Sequence, residues 1–452
     1  MSGPGQDGAR PDEYFRGLNL LLAGAVPKAV RRILEVGCAE GRLGAHLKSL
    51  DPSRTVIGLE LEPGPAAEAA KRLDQVLVQD AEASLADLEP GSLDCILYGD
   101  VLEHFRDPLN VLLRHRALLA PGGTVLCCVP NVQHHTLASS LLRGDWQPEA
   151  AGLLDRGHLR FFSHLSLLRM FLDAGFLPEV AAAFNVPAAE GFHAAARPLL
   201  EHLGLDSERL KPFLDVAQWI VRAMLPSAAP VCVVPPLTLV TRSSEPALLM
   251  ANLGRSPCLG PGTPHELLVF PESMPFAEAA RRALECARHS LVLVLDQNAY
   301  LPVGFLERFL GGWNAAEQRL GSRPLAGVHG WFVGENGLEE AGRFVDGLRL
   351  CAGTTVLPCR ALALDEPLLA LRRGEVPVPD LSLGRHWAVG LCLEMGRRGQ
   401  GPLVLDAPMH WAADFRPSAA AGSLRDAHAL RARYPDIPPE LMDRLGPKPG
   451  RP

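Results

Sequence analysis

Short apolar runs alternate with amphipathic stretches from Arg31 to about Pro130. Five of the runs have the length and apolar content of buried strands, and three stretches between them repeat apolar residues at helical spacing. A regular alternation of strands and helices predicts a parallel, doubly wound sheet. The predicted strands are RILEV, TVIGLE, QVLVQD, LDCILYG and GTVLCCVP, and the predicted helices are GRLGAHLKSL, PAAEAAKRLD and PLNVLLRHRALLAP.

The pattern changes after Asn131, where a loop leads into the amphipathic stretch SHLSLLRMFLDAGF. Residues 195–225 are predicted to be mostly helical, and prolines and small residues then cluster at Pro226–Pro236, which indicates a domain boundary. A second alternation of strands and helices follows. We therefore predict two α/β domains, divided as 1–28 lead, 29–190 first α/β domain, 191–235 helical extension and linker, 236–415 second α/β domain and 416–452 tail.

Composition limits the classes of function. A chain of 452 residues is long enough for two or three domains, and its 47% hydrophobic and 21% charged residues are typical of a soluble globular protein. The net charge is −7 and no basic block is present, so we expect no nucleic-acid partner.

Cysteine usage and the apolar runs bear on the compartment. The ten cysteines have no zinc-ligand spacing, which favours reduced thiols. No signal peptide is recognisable, and no apolar run reaches the roughly 18 residues of a transmembrane helix. We expect a cytoplasmic protein without a transmembrane segment.

The first predicted strand ends in a glycine-spaced turn, ILEVGCAEGRLG, with acids at Glu35 and Glu40 and glycines at Gly37 and Gly41. A diphosphate would be repelled by acids at the start of a helix, where amide groups attract anions. A ligand that carries a sulfonium and an amino group suits these acids better. The turn therefore favours S-adenosylmethionine over a dinucleotide.

The next predicted strands also end in polar residues. Glu60 ends the second strand, where an acid can accept hydrogen bonds from both ribose hydroxyls. Asp80 follows the third strand, where its side-chain oxygen can meet the adenine amino group. Four successive strand ends thus bring polar groups to one edge of one sheet.

Residues 30–180 resemble class I S-adenosylmethionine-dependent methyltransferases, and within them the ubiquinone-biosynthesis-type O-methyltransferases and related domains of bacterial surface-polysaccharide clusters. The matching segments are ILEVGCAEGRLG, VIGLELEP, QDAEA, GDVLEHFRDP, LAPGGTVLCCVPNVQH and LLDRGHLRFFS. The resemblance implies a Rossmann-like, seven-stranded methyltransferase domain with S-adenosylmethionine as cofactor. It departs from the family at Ala39, where such turns often have glycine. The implied cofactor-binding residues are Glu35, Gly37, Cys38 and Gly41 for the methionine part, Glu60 for ribose, Asp80 and Ala81 for adenine, and Asp100.

Methylation of a hydroxyl needs a base, and the domain offers several histidines. His158 and His104 are the predicted catalytic residues, and His134 and His135 are further candidates. Asp100, Glu103, His104 and His158 also resemble the ligand set of metal-dependent RNA 2′-O-methyltransferases, which is a lesser alternative because the acidic charge balance disfavours RNA.

The second domain resembles family 2-type glycosyltransferases of the GT-A fold, on the segments LTLVTRSSEPALLMANL, HELLVFPES, AARRALECARHSLVLVLDQNAYLPVGFLERFL and LVLDAPMHW. That family needs a carboxylate pair at a strand end to hold Mg²⁺ or Mn²⁺ on a sugar nucleotide. Asp296 is present, but the second position is Asn298, and His410 is a possible further ligand. The family's base falls on Asp380 in one alignment and on Gly390 in another, so the motif is degraded.

These observations predict a methyltransferase that O-methylates a sugar or another small-molecule hydroxyl in surface polysaccharide or natural-product biosynthesis, with a degenerate glycosyltransferase-like domain appended. The expected partners are a small-molecule or glycan acceptor and a sugar nucleotide. A glycosyltransferase, or a non-catalytic scaffold that binds glycans or sugar nucleotides, is the alternative.

Overall fold

The computed structural model divides the chain into two compact units. The first comprises Met1–Ala195 and Leu210–Ser227, and the second comprises Ala196–Arg209 and Ala228–Pro452. The described residues are 18–83, 85, 87–188, 191–203, 205–226, 230–334, 337–346, 349–352, 357, 359–364, 368–411 and 429–441. Most of the predicted lead and of the predicted tail lies outside the described residues.

The first unit alternates helices and strands along the chain, as the hydrophobic pattern predicts. Its strands are β1 (Arg32–Val36), β2 (Thr55–Glu60), β3 (Gln75–Val78), β4 (Leu93–Gly99), β5 (Leu119–Pro130), β6 (Leu177–Asn185) and β7 (Val216–Met224). Its helices are α1 (Leu20–Ala25), α2 (Arg42–Leu50), α3 (Pro63–Ala69), α4 (Pro108–His115), α5 (His135–Leu142), α6 (His164–Asp173), α7 (Phe192–His202) and α8 (Ser207–Leu214), of which the last two extend across the division into the second unit.

The seven strands form one sheet in the order β3-β2-β1-β4-β5-β7-β6. β1 pairs in parallel with β2 and β4. β3 pairs in parallel with the outer side of β2, and β5 pairs in parallel with the outer side of β4. Only β7 runs against its neighbours β5 and β6. The predicted seven-stranded, Rossmann-like α/β sheet is confirmed. Ile33 and Leu34 of β1 are fully buried, as expected for a central parallel strand covered on both faces.

The helical prediction for residues 195–225 is wrong at its end, where β7 is a strand. Its polar residues Gln218 and Arg222 are four apart, a spacing that fits one face of a helix. The same even spacing places both side chains on one face of a strand, where Arg222 lies opposite Glu179 of β6 and forms an ion pair with it. The same spacing fits a helix and a strand, and pairing with β5 and β6 determines that this segment is a strand.

The second unit is a second α/β assembly, as predicted. Its strands are β8 (Leu237–Arg242), β9 (His265–Phe270), β10 (Leu291–Leu295), β11 (Ala299–Tyr300), β12 (Leu325–Gly327), β13 (His329–Gly334), β14 (Gly337–Asp346), β15 (Arg349–Ala352), β16 (Cys359–Arg360), β17 (Ala363–Leu364), β18 (Leu368–Arg372), β19 (Leu403–Val404) and β20 (His410–Trp411). Its helices beyond the division include α9 (Pro246–Ala251), α10 (Phe276–Cys286), α11 (Phe305–Leu320) and α12 (Trp387–Arg397).

Seven of these strands form a sheet in the order β16-β19-β12-β18-β10-β8-β9. β8 pairs in parallel with β9 and β10, whereas β18 lies antiparallel between β10 and β12. A smaller sheet contains β11, β20, β14, β13 and β17, with β15 paired to β14. Within the described residues, no helix is long and apolar enough to cross a membrane.

Candidate functional site

The carboxyl ends of β1, β2, β3 and β4 lie at one edge of the first sheet. The strand order reverses at β1, because β2 and β4 pair on its two sides and the sheet continues from each in opposite directions. Ligands of open α/β sheets bind in the crevice at such a reversal. The predicted cofactor residues belong to these four strand ends or follow them directly.

The turn from β1 into α2 contains three residues in the left-handed conformation, Gly37 (φ 68°), Ala39 (φ 48°) and Gly41 (φ 74°). A Cβ atom at Gly37 would lie 2.9 Å from Cγ2 of Val101, so both backbone and space require glycine there. Ala39 adopts a backbone that costs an L-residue about 1–2 kcal/mol. The departure from the family pattern at Ala39 is therefore accommodated at an energetic cost.

Glu60 connects the end of β2 to this turn. Its carboxylate is buried, with Oε2 accepting the Ala39 amide at 2.8 Å and Oε1 accepting the Glu62 amide at 3.0 Å. A carboxylate has about four lone-pair sites, so each oxygen can accept a further hydrogen bond. Glu60 is thus held in place and retains capacity for ligand hydroxyls.

Glu35 supports the turn from inside the fold. Its Oε2 accepts the amide of Gly44 in the first turn of α2 at 3.0 Å, and only 5% of the residue is exposed. Burial raises the pKa of Glu35 to about 8, and the neighbouring Glu60 carboxylate adds to the increase. The helix α2 thus engages one oxygen of this carboxyl group within the core, and the contact of Glu35 with the methionine part of the cofactor stays a prediction.

The Cys38 side chain also faces inward. A Cβ atom at Gly58 of β2 would lie 2.6 Å from Sγ of Cys38, so the thiol packs against the sheet, and burial raises its pKa. Only the Cys38 backbone remains for the predicted contact with a cofactor. Glu40, the second acid of the turn, forms an ion pair with Arg42 at 3.1 Å.

Asp80 and Ala81 form the turn after β3. The amide of Gln79 donates to the carbonyl of Glu60 at 3.1 Å, which places this turn beside the β2 end. Asp80 is exposed, and its Oδ1 accepts the amide of Glu82 at 2.8 Å, whereas Ala81 is buried. The Asp80 carboxylate is therefore accessible at the edge, as a contact with adenine would require.

Asp100 directly follows β4 and has a left-handed backbone, with φ at 51°. Its Oδ1 accepts Nε2 of Gln218 at 2.6 Å. Burial raises the pKa of Asp100, against the lowering effect of hydrogen bonds from Cys128, Asn19 and Gln218. Non-glycine residues held in this conformation concentrate at functional sites. The contact between Gln218 and Asp100 could not be predicted from the sequence, because the segment that contains Gln218 is predicted to be helical.

Glu103 and His158 form a buried pair beyond Asp100. Nε2 of His158 lies 3.9 Å from Oε1 of Glu103, and their side chains are 6% and 2% exposed. Oε2 of Glu103 is buried and, within the described residues, has no hydrogen-bond partner. Burial raises the pKa of Glu103 well above its usual range, and the Asp100 and Asp155 carboxylates raise it further.

His104 completes a group of three with Glu103 and His158. Its Nδ1 lies 2.9 Å from the Gly157 carbonyl, so Nδ1 carries the proton and Nε2 is the acceptor in the neutral ring. One ligand atom from each of the three residues lies within 4.8 Å of the others, and among the described residues this is the group with metal-ligand proximity. The trio can hold a divalent ion or move a proton.

His134 and His135 have a different arrangement. The Nε2 atoms of both rings lie 3.1 and 3.2 Å from the carbonyl of Val186, just after β6. A carbonyl only accepts, so both rings donate to it. These contacts favour a structural role for the two residues over the base function considered from the sequence.

The predicted metal ligands of the second unit lie at the end of β10 and on β20. Asp296 closes its own turn by accepting the amide of Asn298 at 2.8 Å. His410 pairs with Tyr300 of β11, which follows that turn. Asn298 and His410 are only 3% and 0% exposed, and Asp296 is half-buried. Metal binding by these residues stays a prediction, with the neutral amide of Asn298 at the position where the family has an acid.

The two base positions considered for the second unit are also occupied by structural contacts. Asp380 accepts the amide and hydroxyl of Ser382 at the start of a short 3₁₀ segment. A Cβ atom at Gly390 would lie 2.1 Å from Leu383, and Tyr434 donates its hydroxyl to the Gly390 carbonyl at 2.9 Å. An acid at position 390 would require the surrounding side chains to move.

Residues 7–178 match the sequence model of a family described as "Methyltransferase domain". The chain is 31% identical over 153 residues to the ubiquinone biosynthesis O-methyltransferase of Xanthomonas campestris, a match that covers 33% of this chain and 62% of that protein. It is 31% identical over 120 residues to the trans-aconitate 2-methyltransferase of Methylobacterium nodulans, covering 26% of this chain and 46% of that protein.

A crystal structure of a SAM-dependent methyltransferase from Archaeoglobus fulgidus aligns with a TM-score of 0.35 and 18% identity, covering 47% of this chain and 97% of that one. The two sequence matches span less than two thirds of the relatives' own lengths. The family match and the sheet topology show that the N-terminal part of the chain is a class I S-adenosylmethionine-dependent methyltransferase domain. The family match ends at residue 178, before the second sheet begins.

Proposed function

We propose that this protein transfers the methyl group of S-adenosylmethionine to a hydroxyl group of a small molecule. The observation that carries the proposal is the Glu60 carboxylate, which two backbone amides fix beside the left-handed turn where the strand order reverses. The name of the Xanthomonas campestris relative specifies an O-methyltransferase, which supports oxygen as the acceptor atom.

The ends of β1, β2 and β3 fit the three parts of this cofactor. Glu60 has acceptor capacity for two ribose hydroxyls, and the exposed carboxylate of Asp80 can accept from the adenine amino group. The backbone of residues 37–41 would hold the methionine part. When bound, the cofactor supplies an activated methyl group on a positively charged sulfur.

His158 and Glu103 are the proposed base and its support. Nδ1 of His158 lies 3.3 Å from the Leu153 carbonyl and therefore carries the proton, which leaves Nε2 basic and directed at Oε1 of Glu103. A hydroxyl must lose its proton as it attacks, and a positioned histidine accelerates such a step by about 10²–10⁴-fold. The Glu103 carboxyl group, whose pKa is raised by burial, lies 3.9 Å from Nε2 of His158 and can exchange a proton with the ring. His104 packs edge-on against His158 and positions it.

We extend the proposal to a sugar hydroxyl as acceptor, in surface polysaccharide or natural-product biosynthesis. Its support is the likeness of the second unit to the GT-A fold: three parallel strands, an antiparallel strand beside them, and Asp296 after β10. Asn298 stands where the family has an acid, and Leu383 leaves no room for an acid at Gly390. We therefore assign this unit to docking a glycan or sugar nucleotide and not to glycosyl transfer. A non-catalytic binding scaffold is the alternative for the whole chain.

The test is transfer of a labelled methyl group from S-adenosylmethionine to a panel of nucleotide sugars, free sugars and phenols. We expect labelled product with a hydroxyl acceptor and an equal amount of S-adenosylhomocysteine. Cofactor binding with no transfer to any hydroxyl acceptor, but with transfer to amines or thiols, would contradict O-methylation. Equal transfer to phenols and sugars would contradict the sugar assignment alone.

The trio of Glu103, His104 and His158 favours a second candidate, methyl transfer assisted by a divalent cation. An ion there would lower the pKa of a bound hydroxyl and take over the task of the base. The acidic net charge still disfavours RNA as its substrate. Activity that is lost on chelation and restored by Mg²⁺ or Mn²⁺, with no restoration in His104→Gln, supports this candidate, and activity that persists under chelation excludes it.

A further inference from the structure

Tyr98 and His115 lie behind the carboxyl edge, in the core of the first unit. Tyr98 on β4 is fully buried, and His115 at the end of α4 is 2% exposed. The Tyr98 hydroxyl lies 2.7 Å from Nδ1 of His115, and Nε2 of the same ring lies 3.1 Å from the carbonyl of Ala81. A buried ring therefore connects β4, the strand that Asp100 follows, to the turn that contains Asp80.

The proton positions in this chain follow from the partners. A carbonyl oxygen only accepts, so Nε2 of His115 carries a proton and donates to Ala81. Burial lowers the pKa of His115 to about 4, so the ring is neutral near pH 7. Its unprotonated Nδ1 therefore accepts a hydrogen bond from the Tyr98 hydroxyl. Each group has one fixed role, and the ring cannot rotate by half a turn without losing both hydrogen bonds.

The hydrogen bond to Ala81 fixes more than one atom. The peptide unit between Ala81 and Glu82 is held on one side by His115 and on the other by Asp80, whose Oδ1 accepts the Glu82 amide at 2.8 Å. Since a peptide unit is planar, holding its carbonyl also sets the direction of its N–H group. The orientation of the Asp80 carboxylate therefore depends on the buried His115 ring.

We propose that Tyr98 and His115 are positioning residues that orient the Asp80 carboxylate toward the purine and thereby set a preference for adenine over a 6-oxopurine. The inference rests on the proposed function, because it assumes that Asp80 meets the purine. The amino group of adenine donates a hydrogen bond to a correctly oriented carboxylate. The 6-oxo oxygen of hypoxanthine is itself an acceptor, so it cannot donate to the carboxylate and is repelled by it. The predicted determinant of base specificity is thus a core residue that does not touch the ligand.

The test compares the affinities of S-adenosylhomocysteine and S-inosylhomocysteine by calorimetry. We expect the wild type to prefer the adenine compound by about tenfold or more, as the loss of one hydrogen bond to a charged group implies. Asp80→Ala is the reference that loses this preference. His115→Leu should lose it too, and the double variant should lose no more than either single variant.

His115→Gln is the matched control, because its amide can donate to Ala81 and accept from Tyr98, and we expect it to keep the preference. Tyr98→Phe should reduce the preference less than His115→Leu. If His115→Leu does not fold, Tyr98→Phe decides the question by the same comparison.

Equal weakening of both ligands, or an unchanged preference, in the variant that folds would overturn the positioning role. Absence of S-adenosylhomocysteine binding by the wild type would instead contradict the proposed function.

Discussion

The carboxyl edges of the two sheets are assembled from similar elements, yet their polar side chains are used differently. In the first unit, Glu60 is fixed by two backbone amides and keeps further acceptor capacity, and Asp80 remains exposed. In the second unit, Arg242 lies 3.8 Å above the ring of Phe276 and donates to backbone carbonyls, and Asn298 is enclosed. A polar residue at a strand end indicates a binding site only where acceptor or donor capacity is left for a ligand.

Each unit also contains a buried side-chain oxygen that has no hydrogen-bond partner among the described residues, and the two residues differ in chemistry. Oε2 of Glu103 and Oε1 of Gln297 are both buried and lack a hydrogen-bond partner within the described part of the chain. Glu103 lies beside two histidine rings and can change its charge, whereas the amide of Gln297 is always neutral. The difference between these two residues is that only Glu103 can take part in proton transfer.

The largest difference between the two edges should appear in methyl transfer. We expect His158→Ala to lower kcat by about 10²–10⁴-fold, because a positioned base is lost. The matched change in the second unit, Asp296→Ala, should leave kcat unchanged. Steady-state kinetics with the best hydroxyl acceptor measures both, and equal losses in the two variants would remove the distinction between the edges.

Acid should destabilise the first unit through its buried His115. The folded-state pKa of about 4 lies below the value of 6.5 for an exposed ring, so the unfolded chain binds more protons between these values. Stability is therefore fully present above pH 6.5 and is lost as the pH falls toward 4, by about 3 kcal/mol. Denaturant unfolding of wild type and His115→Gln at pH 7 and pH 4 isolates this contribution. Parallel pH dependence in the two proteins would refute it.

Restoring the missing acid tests whether the second edge can still bind metal. Asn298→Asp introduces a carboxylate at a position that is 3% exposed, so we expect a loss of about 1–3 kcal/mol of unfolding free energy and no Mn²⁺-dependent binding of a nucleotide sugar. Thermal unfolding and calorimetry with Mn²⁺ and a panel of nucleotide sugars measure the two effects. Metal-dependent binding would mean that this edge is an intact site with one altered ligand.

The smallest effect concerns the strained turn of the first unit. Ala39→Gly removes an unfavourable left-handed alanine, so we expect a gain of up to about 1 kcal/mol in the free energy of unfolding. The control is Ala45→Gly within α2, which should cost about 1 kcal/mol instead. Destabilisation by both substitutions would show that the turn is not strained at Ala39.

Much of the first sheet could be predicted because its strands are short apolar runs with polar ends. The position of Glu60 after β2 follows from that pattern. The direction of Glu35 does not, because its carboxylate reaches nine residues along the chain to Gly44, and spacing cannot say whether an acid faces the ligand or the core. The inward direction of the Cys38 thiol could not be predicted for the same reason.

Contacts between residues far apart in the chain could not be predicted from the sequence either. β7 inserts between β5 and β6, and only this insertion brings Gln218 to Asp100, 118 residues away. The link from Tyr98 through His115 to Ala81 likewise joins three segments that the local pattern treats as independent. Local periodicity predicts elements, but contacts between distant elements decide which polar groups reach the edge.

The central claim is that the first edge holds the cofactor through Glu60 and that the second edge does not. Calorimetric titration of the full chain with S-adenosylhomocysteine tests it directly, using Glu60→Ala and the neighbouring exposed Glu62→Ala as a matched pair. We predict one site per chain in the wild type and in Glu62→Ala, with affinity at least tenfold weaker in Glu60→Ala. No binding by the wild type, or equal affinity in the two variants, would contradict the claim.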